Sequence, residues 1–512
     1  MAGHLLRSGS IVSAMTLISR VLGLAREVVV ANLMGAGMAA DLFFVAQKIP
    51  NFLRRLFAEG AFSQAFIPVL SEYETKRSRA DVLMLLNKVS GTLGLILLAL
   101  TVVVVVAAPA VMTVYAPGFR NEPGKFELAT TLLRITFPYL LFISLTAFAG
   151  SVLNSIGKFA VPAITPVFLS ICQIIAALAV APGLEAQSMA LAWSIFVAGL
   201  VQLAFNLPFL WKEGLLPRPQ WGWKDEGVQR ILKLMVPAMF AVSVTQTSLL
   251  LDVVFVSFLQ EKSVSWLYYA DRLLEFPLGI FGIAIATVVL PSLSRQHAAE
   301  DAADFNKTMD WGLRLLVFIG LPATLGLILL SDGLVTTIYQ RGAFTPADVY
   351  QVRWALIAYS IGLLSFMSVK VLATGFFARQ NSRTPVRIAI ISVVFNMICN
   401  AILIWPFEFV GLALATTVSS SLNAFLLYRG LRRSGGYQPQ PGWARWWLKV
   451  LLACAVMSAL LLALHPGTER WLASGSLARI GWLVMLVTVG GAGYLLTLLG
   501  LGVRLRHLKG HA

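Results

Sequence analysis

Long apolar runs alternate with short polar segments along this chain. Residues 89–119, 159–184 and 186–211 contain no charged residue. A helix that crosses the hydrocarbon core of a bilayer needs about 20 mostly apolar residues. The pattern therefore predicts an all-α polytopic membrane protein with about fourteen transmembrane helices. The predicted spans are 10–33, 40–70, 86–115, 128–156, 160–182, 187–211, 229–258, 264–293, 309–339, 351–378, 385–405, 409–430, 446–464 and 478–502.

Two features of individual spans refine this pattern. Arg20 and Arg26 interrupt the first span, which the apolar region of a cleaved signal peptide would not tolerate, so we expect a retained helix. The second and eighth spans exceed one crossing and contain Pro50 and Pro277. We expect bends at both prolines.

The basic residues predict the orientation in the membrane. With the N-terminus in the cytoplasm, the cytoplasmic connections would carry about four times as many Lys and Arg residues as the opposite side, as the positive-inside rule requires. Both termini are then cytoplasmic. The longest connections are about twenty residues or fewer, so the sequence predicts no soluble domain.

The chain repeats itself at a spacing of about 223 residues, typical of transporters built from two related halves. ADLFFVAQKIP (Ala40–Pro50) resembles VSWLYYADRLL (Val264–Leu274), and two further matches follow in order, which pair Pro68 with Pro291 and Tyr115 with Tyr339. An even number of helices between equivalents gives a parallel repeat, with the substrate between the halves. The predicted domains are an N-lobe of helices 1–6, a C-lobe of helices 7–12 and a final helix pair, at residues 1–212, 213–432 and 433–512.

Composition agrees with a membrane protein. Hydrophobic residues make up 58% of the chain and charged residues 12%, whereas soluble proteins carry about 25% charged residues. The net charge of +16 lies in short segments between apolar runs, which argues against nucleic acid as a partner. Cys172, Cys399 and Cys454 lie inside apolar runs without metal-ligand spacing, so no function is assigned to them.

Ionisable residues within the spans are the candidate functional residues. Each costs about 2.5–3.5 kcal/mol at a helix centre, so they must face water, one another or a ligand. Asp41, Lys48, Arg55 and Glu59 would form one stripe about 40° wide on helix 2. The full set is Arg20 and Arg26 in helix 1, Asp41, Lys48, Arg54, Arg55 and Glu59 in helix 2, Asp252 in helix 7, Asp271, Arg272 and Glu275 in helix 8, and Lys370 in helix 10.

The charges in helices 1, 2 and 8 contain more cations than anions. Guanidinium groups in a wet cavity suit a bidentate phosphate ligand, so this excess predicts a cationic cavity and an anionic, phosphate-bearing cargo. The alternative is that the charges form internal salt bridges or extend to the membrane surface.

Five segments of the chain carry a family resemblance. They are SRVLGLAREVVVANLMGAG (Ser19–Gly37), ADLFFVAQKIPNFLRRLFAEGAFSQAFIPVL (Ala40–Leu70), SVSWLYYADRLLEFPLGIFGIAIATVVLP (Ser263–Pro291), YSIGLLSFMSVKVLATGFFARQNSRTPVRIAI (Tyr359–Ile390) and QPGWARW (Gln440–Trp446). They closely resemble the MurJ (MviN) family of bacterial flippases for lipid II, the undecaprenyl-diphosphate-linked peptidoglycan precursor. The resemblance extends over essentially the whole chain.

This resemblance implies the multidrug/oligosaccharidyl-lipid/polysaccharide exporter fold in the inner membrane. Two six-helix lobes would enclose the cavity, and helices 13 and 14 would border a groove for the polyprenyl tail. It implies a transporter, not an enzyme, that flips lipid II to the periplasmic leaflet by alternating access. Transport roles are implied for Arg20, Arg26, Asp41, Arg54 and Arg272, and gating or supporting roles for Glu59, Asp271 and Glu275; the charge pattern adds Lys48 to the first group and Arg55 to the second.

Some members of this family bind sodium between helices 7, 11 and 12. Asp252, Asn396, Asn400 and Thr416 stand at similar positions, so they are a candidate sodium site, and no other cofactor is expected. Where family members carry a second carboxylate, this chain has an amide. The alternative is that the two amides hydrogen-bond between helices.

Rival functions remain at this stage. A drug exporter of the same fold needs an anionic or aromatic cavity, which the arginine excess disfavours. A flippase for another polyprenyl-linked oligosaccharide fits the same charges. An enzyme acting on polyprenyl phosphates would need paired acidic residues for a metal, and no Asp-rich motif is present. Membrane lipids are expected partners, and a contact with wall-synthesis proteins stays open. Membrane potential and a sodium gradient are both candidate driving forces.

Overall fold

A computed structural model describes residues 2–56, 62–184 and 186–504, and every regular element in these ranges is helical. The helices up to the middle of the chain are α1 Ala2–Met34, α2 Met38–Arg54, α3 Phe62–Lys76, α4 Arg79–Val106, α5 Ala108–Tyr115, α6 Lys125–Thr136, α7 Tyr139–Ser155, α8 Ala160–Ile164, α9 Val167–Ile175, α10 Gln187–Lys212 and α11 Glu226–Val256. The later helices are α12 Ser263–Pro277, α13 Ile283–Ala298, α14 Ala302–Leu329, α15 Ser331–Tyr339, α16 Pro346–Ile361, α17 Leu363–Ala378, α18 Arg383–Arg433, α19 Trp443–Leu464, α20 Thr468–Ala473 and α21 Ser476–Gly500.

Ten helical stretches within the described residues are long and apolar enough to cross a membrane. The predicted all-α polytopic membrane protein is therefore confirmed, while the count of fourteen stays a prediction. The longest stretch, α18, covers predicted spans 11 and 12 and contains a kink at Glu408, where φ is 49°. The predicted spans 10–33, 40–70 and 229–258, which carry most of the ionised residues, lie outside these ten stretches.

The two prolines that predicted bends behave differently. Helix α2 continues through Pro50 and ends at Arg54. Helix α12 ends at Pro277, and a π-helical turn, Leu278–Gly282, separates it from α13. The ring of a proline removes a backbone donor and clashes with the preceding turn, which accounts for the interruption in the eighth span.

The sequence repeat recurs in the helix boundaries. Helix α14 begins and ends 223 residues after α4, since Ala302 follows Arg79 and Leu329 follows Val106 by that distance. The capping residues recur as well: Ser78 and Asp301 each accept a hydrogen bond from the backbone N–H of the third helical residue. Such caps satisfy donors that a helix leaves unpaired at its start.

The chain divides into two compact units, residues 1–264 and 265–512. The first unit includes α11, which packs against α2, α3, α4 and α5. This packing boundary falls after α11, whereas the repeat predicts a lobe boundary before it, at residue 212. The predicted lobes, 1–212, 213–432 and 433–512, are defined by the repeat and stay a prediction.

The segment between α10 and α11, residues 213–225, lies along α4; we call it the linker strap. The backbone N–H groups of Arg218 and Gln220 donate to Asn87, at 2.6 and 2.9 Å. At its end, Asp225 accepts a hydrogen bond from the Lys88 ammonium at 2.7 Å. Burial alone would raise the pKa of Asp225. The bond with Lys88 and the backbone N–H groups at the start of α11 outweigh burial and lower this pKa.

The last two long helices, α19 and α21, pack on each other and are attached to the rest of the second unit at both ends. At one end Asp310 of α14 accepts hydrogen bonds from Tyr437 at 2.7 Å and Trp443 at 2.6 Å. At the other end Asp332 accepts a hydrogen bond from Thr468, and the fully buried Trp471 donates to Thr337 at 3.0 Å.

Candidate functional site

Helix α1 carries two of the predicted transport arginines. The Arg20 side chain is exposed. The Arg26 side chain is half-buried and forms an ion pair with Glu27, which is 5% exposed. Glu27 is a residue that the sequence reasoning missed, although a carboxylate beside an arginine in an apolar run was a readable signal. The pairing leaves Arg26 partly neutralised by its own helix.

Asp41 lies in the first turn of α2, where a carboxylate is favoured by the helix dipole. It is 2% exposed and accepts a hydrogen bond from the backbone N–H of Lys262 at 2.7 Å. In the other direction, the backbone N–H of Met38 donates to the Glu261 carboxylate at 2.8 Å. The start of α2 and the turn after α11 therefore hold each other through two carboxylates, of which Glu261 was not predicted.

The remaining charges of α2 lie along its second half. Lys48, Arg54 and Arg55 are half-buried, and each has an interaction partner. Glu59 lies outside the described residues. A half-buried guanidinium in an apolar helix must find a hydrogen-bonding or charged partner, because bilayer hydrocarbon offers none.

In the second unit, α12 brings three predicted residues together. The Arg272 guanidinium lies 2.6 Å from Glu275 and 3.9 Å from Asp271, and it also stacks over the Tyr268 ring. Arg272 is half-buried, with about 29% of its side chain exposed. Glu275 therefore forms an ion pair with Arg272, and its predicted gating or supporting role stays a prediction. The alternative of internal salt bridges thus applies to Arg272 and Arg26, each paired within its own helix.

The residues predicted to bind sodium lie in both units. Asn396 and Asn400 are buried on α18, and the Asn400 amide donates to the Asn396 carbonyl oxygen at 3.3 Å. The Thr416 hydroxyl donates to the Leu412 carbonyl at 3.0 Å, which leaves its oxygen able to accept or ligate. Asp252 lies half-buried on α11, in the first unit. The amide and hydroxyl oxygens on α18 are donors that suit a hard cation. The site that would join them to Asp252 stays a prediction.

Comparison with known proteins shows the family to which this chain belongs. The profile described as "Lipid II flippase MurJ" matches residues 30–482. This chain belongs to the MurJ family. The "Probable lipid II flippase MurJ" of Vibrio cholerae serotype O1 is 52% identical over 99% of this chain and 98% of its own length. The MurJ relative of Haemophilus influenzae is 49% identical over 96% of this chain and 99% of its own.

Solved structures agree with the MurJ assignment. A structure described as "Lipid II flippase MurJ, inward closed conformation" is 28% identical, with a TM-score of 0.78 over 95% of this chain and 97% of that one. An inward-facing multidrug resistance MATE family transporter of the MOP superfamily has a TM-score of 0.69 at 12% identity, over 83% of this chain and 97% of that one, which shows the shared fold. Membership in MurJ, a family of transporters, confirms the predicted exporter fold and the prediction that this chain is a transporter, not an enzyme.

Proposed function

We propose that this protein flips lipid II from the cytoplasmic to the periplasmic leaflet of the bacterial inner membrane. The observation that carries the proposal is family membership: relatives named as lipid II flippases match nearly the full length of this chain. The proposed orientation has both termini in the cytoplasm, as the distribution of basic residues favours.

The proposed route is a cationic central cavity that opens alternately to the two sides. Arg20, Arg54 and Arg272 would donate paired hydrogen bonds to the diphosphate, for which a guanidinium is suited geometrically. Glu275 and Asp271 hold Arg272 between cycles, and a diphosphate would compete with them for the same donors. The polyprenyl tail would stay in lipid along a groove beside α19 and α21. Sodium at Asp252, Asn396, Asn400 and Thr416 is part of the proposal, with membrane potential as the competing driving force.

The test is a leaflet-accessibility assay for lipid II in cells depleted of the native protein and supplied with variants. Arg20→Ala and Arg272→Ala should each lower outer-leaflet lipid II on the order of tenfold or more, because a charge-assisted hydrogen bond is worth about 1.5–3 kcal/mol. Arg20→Lys keeps the charge and should retain part of the activity. Arg295→Ala, at an exposed arginine near the end of α13, is the matched control and should transport normally.

Two outcomes decide the proposal. Normal transport by both alanine variants, at normal protein levels in the membrane, would rule out the arginine route. Running the assay with potassium in place of sodium separates the driving forces, since a sodium-coupled transporter slows and a potential-driven one does not.

A second function, export of a cationic drug through the same fold, predicts instead that removing arginines leaves export unchanged or improves it. Transport of other polyprenyl-linked oligosaccharides is separated by supplying them in place of lipid II.

A further inference from the structure

The end of α18 carries a recess that the transport proposal does not use. It has a volume of about 420 Å³ and is lined by Phe425, Tyr428, Arg429, Arg432 and Arg433. All three arginines are exposed, and the Arg432 guanidinium lies 5.9 Å from the centre of the Tyr428 ring. We propose that this recess, the α18 arginine recess, binds the phosphodiester head group of an anionic phospholipid.

Carboxylates of the described residues do not neutralise the positive charges of the recess. In the part of the chain that the structure describes, none of the three arginines forms an ion pair. The Tyr428 ring makes an edge-to-face contact with Tyr437, whose hydroxyl donates to the Asp310 carboxylate. Asp310 is occupied by Arg314, Tyr437 and Trp443 and so offers no counter-charge to the recess.

A structural reason for the arginines is the helix dipole, because cations are favourable at a helix C-terminus. That dipole amounts to about half a negative charge, whereas the recess holds three full positive charges. The excess is therefore more than the helix dipole stabilises, and the positive-inside rule accounts for its side of the membrane but not for its clustering around one recess. It leaves a net positive recess that an anion can neutralise.

The position of the recess favours a lipid head group as the anion that binds there. Phe425 belongs to predicted span 12 and is 56% exposed, so its ring faces the level of the acyl chains. The arginines lie one to two turns further on, at the end of the apolar segment, where a head group would sit. In the proposed orientation this end of α18 faces the cytoplasm, and basic pockets there are suited to anionic head groups.

The experiment measures binding of phosphatidylglycerol and phosphatidylcholine with identical acyl chains to the purified full-length protein by native mass spectrometry. The native protein should prefer phosphatidylglycerol, and the triple variant R429Q/R432Q/R433Q should lose that preference by about tenfold or more. The matched control is R383Q/R387Q/R445Q, which removes the same charge from exposed arginines near the same connections and should keep the preference.

Equal losses in both triple variants, or a preference that survives in R429Q/R432Q/R433Q, would overturn the proposal. If the triple variant unfolds, the three single glutamine variants are measured, and an unchanged preference in all three overturns it equally. Undecaprenyl diphosphate is added as a competitor; displacement of phosphatidylglycerol by it at equal concentration would reassign the recess to the transported lipid. Binding is measured without transport, so this result and that of the flipping assay are independent.

Discussion

At the scale of single residues, Asp41 shows how a charge can serve structure in a membrane protein. Its burial at 2% exposure would be costly for an isolated carboxylate. The cost is offset by the first turn of α2 and by the backbone N–H of Lys262, at 2.7 Å. Lys262 itself has a positive φ of 78°, an uncommon conformation for a residue other than glycine. The carboxylate therefore holds a turn that the backbone alone disfavours.

Asp41→Ala should destabilise the protein by about 1–3 kcal/mol, because the part-buried Lys262 N–H loses its acceptor. Asp41→Asn keeps an acceptor oxygen of similar size and should lose less. The measurement is the thermal unfolding midpoint of the purified protein in detergent, with the alanine variant expected to unfold at the lower temperature. Identical midpoints for all three proteins would show that the hydrogen bond contributes nothing to stability.

At the scale of elements, the linker strap depends on glycines that allow close backbone approach. A Cβ atom added at Gly91 of α4 would lie 2.2 Å from the backbone oxygen of Gln220. A Cβ at Gly94, one turn along the same helix, would meet only Leu145 at 3.9 Å. Gly91 therefore sets the distance between α4 and the strap, whereas Gly94 does not.

Gly91→Ala should displace the strap and lower stability, even though alanine favours a helix by about 1 kcal/mol over glycine. Gly94→Ala receives the same helical gain without the clash and should be neutral or stabilising. Amide hydrogen exchange of residues 218–225, together with the thermal midpoint, checks this pair. Equal protection of the strap in both variants would contradict the close contact.

The strap is also tied by charge, and its pH dependence has a defined sign. The lowered pKa of Asp225 means that its bond with Lys88 stabilises the folded state above the ordinary carboxyl pKa of about 4. This contribution is lost as the pH falls through the lowered value. The attachment therefore stays intact throughout the neutral range.

At the scale of the whole molecule, the sequence predicted the features that depend on residues close together along the chain. Runs such as 186–211 predicted membrane helices because lipid imposes a minimum apolar length, and α10 covers Gln187–Lys212. The repeat was readable because two halves with the same fold keep similar residues at similar positions. The bond between Asp41 and Lys262 was not readable, since it joins residues 221 positions apart and depends on how helices pack.

Glu27 and Asp310 show the same limit for the candidate site and its surroundings. The charge pattern in the sequence predicted the arginines in the spans as functional residues. It did not predict Glu27, which forms an ion pair with Arg26. Asp310 lies on the predicted ninth span, and nothing near it in sequence indicates Tyr437 or Trp443, more than a hundred residues later. Partners brought together by tertiary packing carry no periodic signal along the chain.

Asp310→Asn should loosen the attachment of α19 to α14. The variant loses the ion pair with Arg314, at 2.6 Å, and one charge-assisted acceptor, for a loss of about 1.5–3 kcal/mol. We expect faster hydrogen exchange in residues 434–442 and a lower thermal midpoint. Asp304→Asn, at an exposed site on the same helix, is the control, and equal effects of the two substitutions would argue against a specific anchor.

The linker strap has a mechanical consequence. The strap is bonded to α4 at Arg218, Gln220 and Asp225, so the connection between α10 and α11 is a held segment rather than a loose loop. Any displacement of α11 relative to α10 would then have to begin within a helix, and α11 contains Pro237 a few turns after the strap ends.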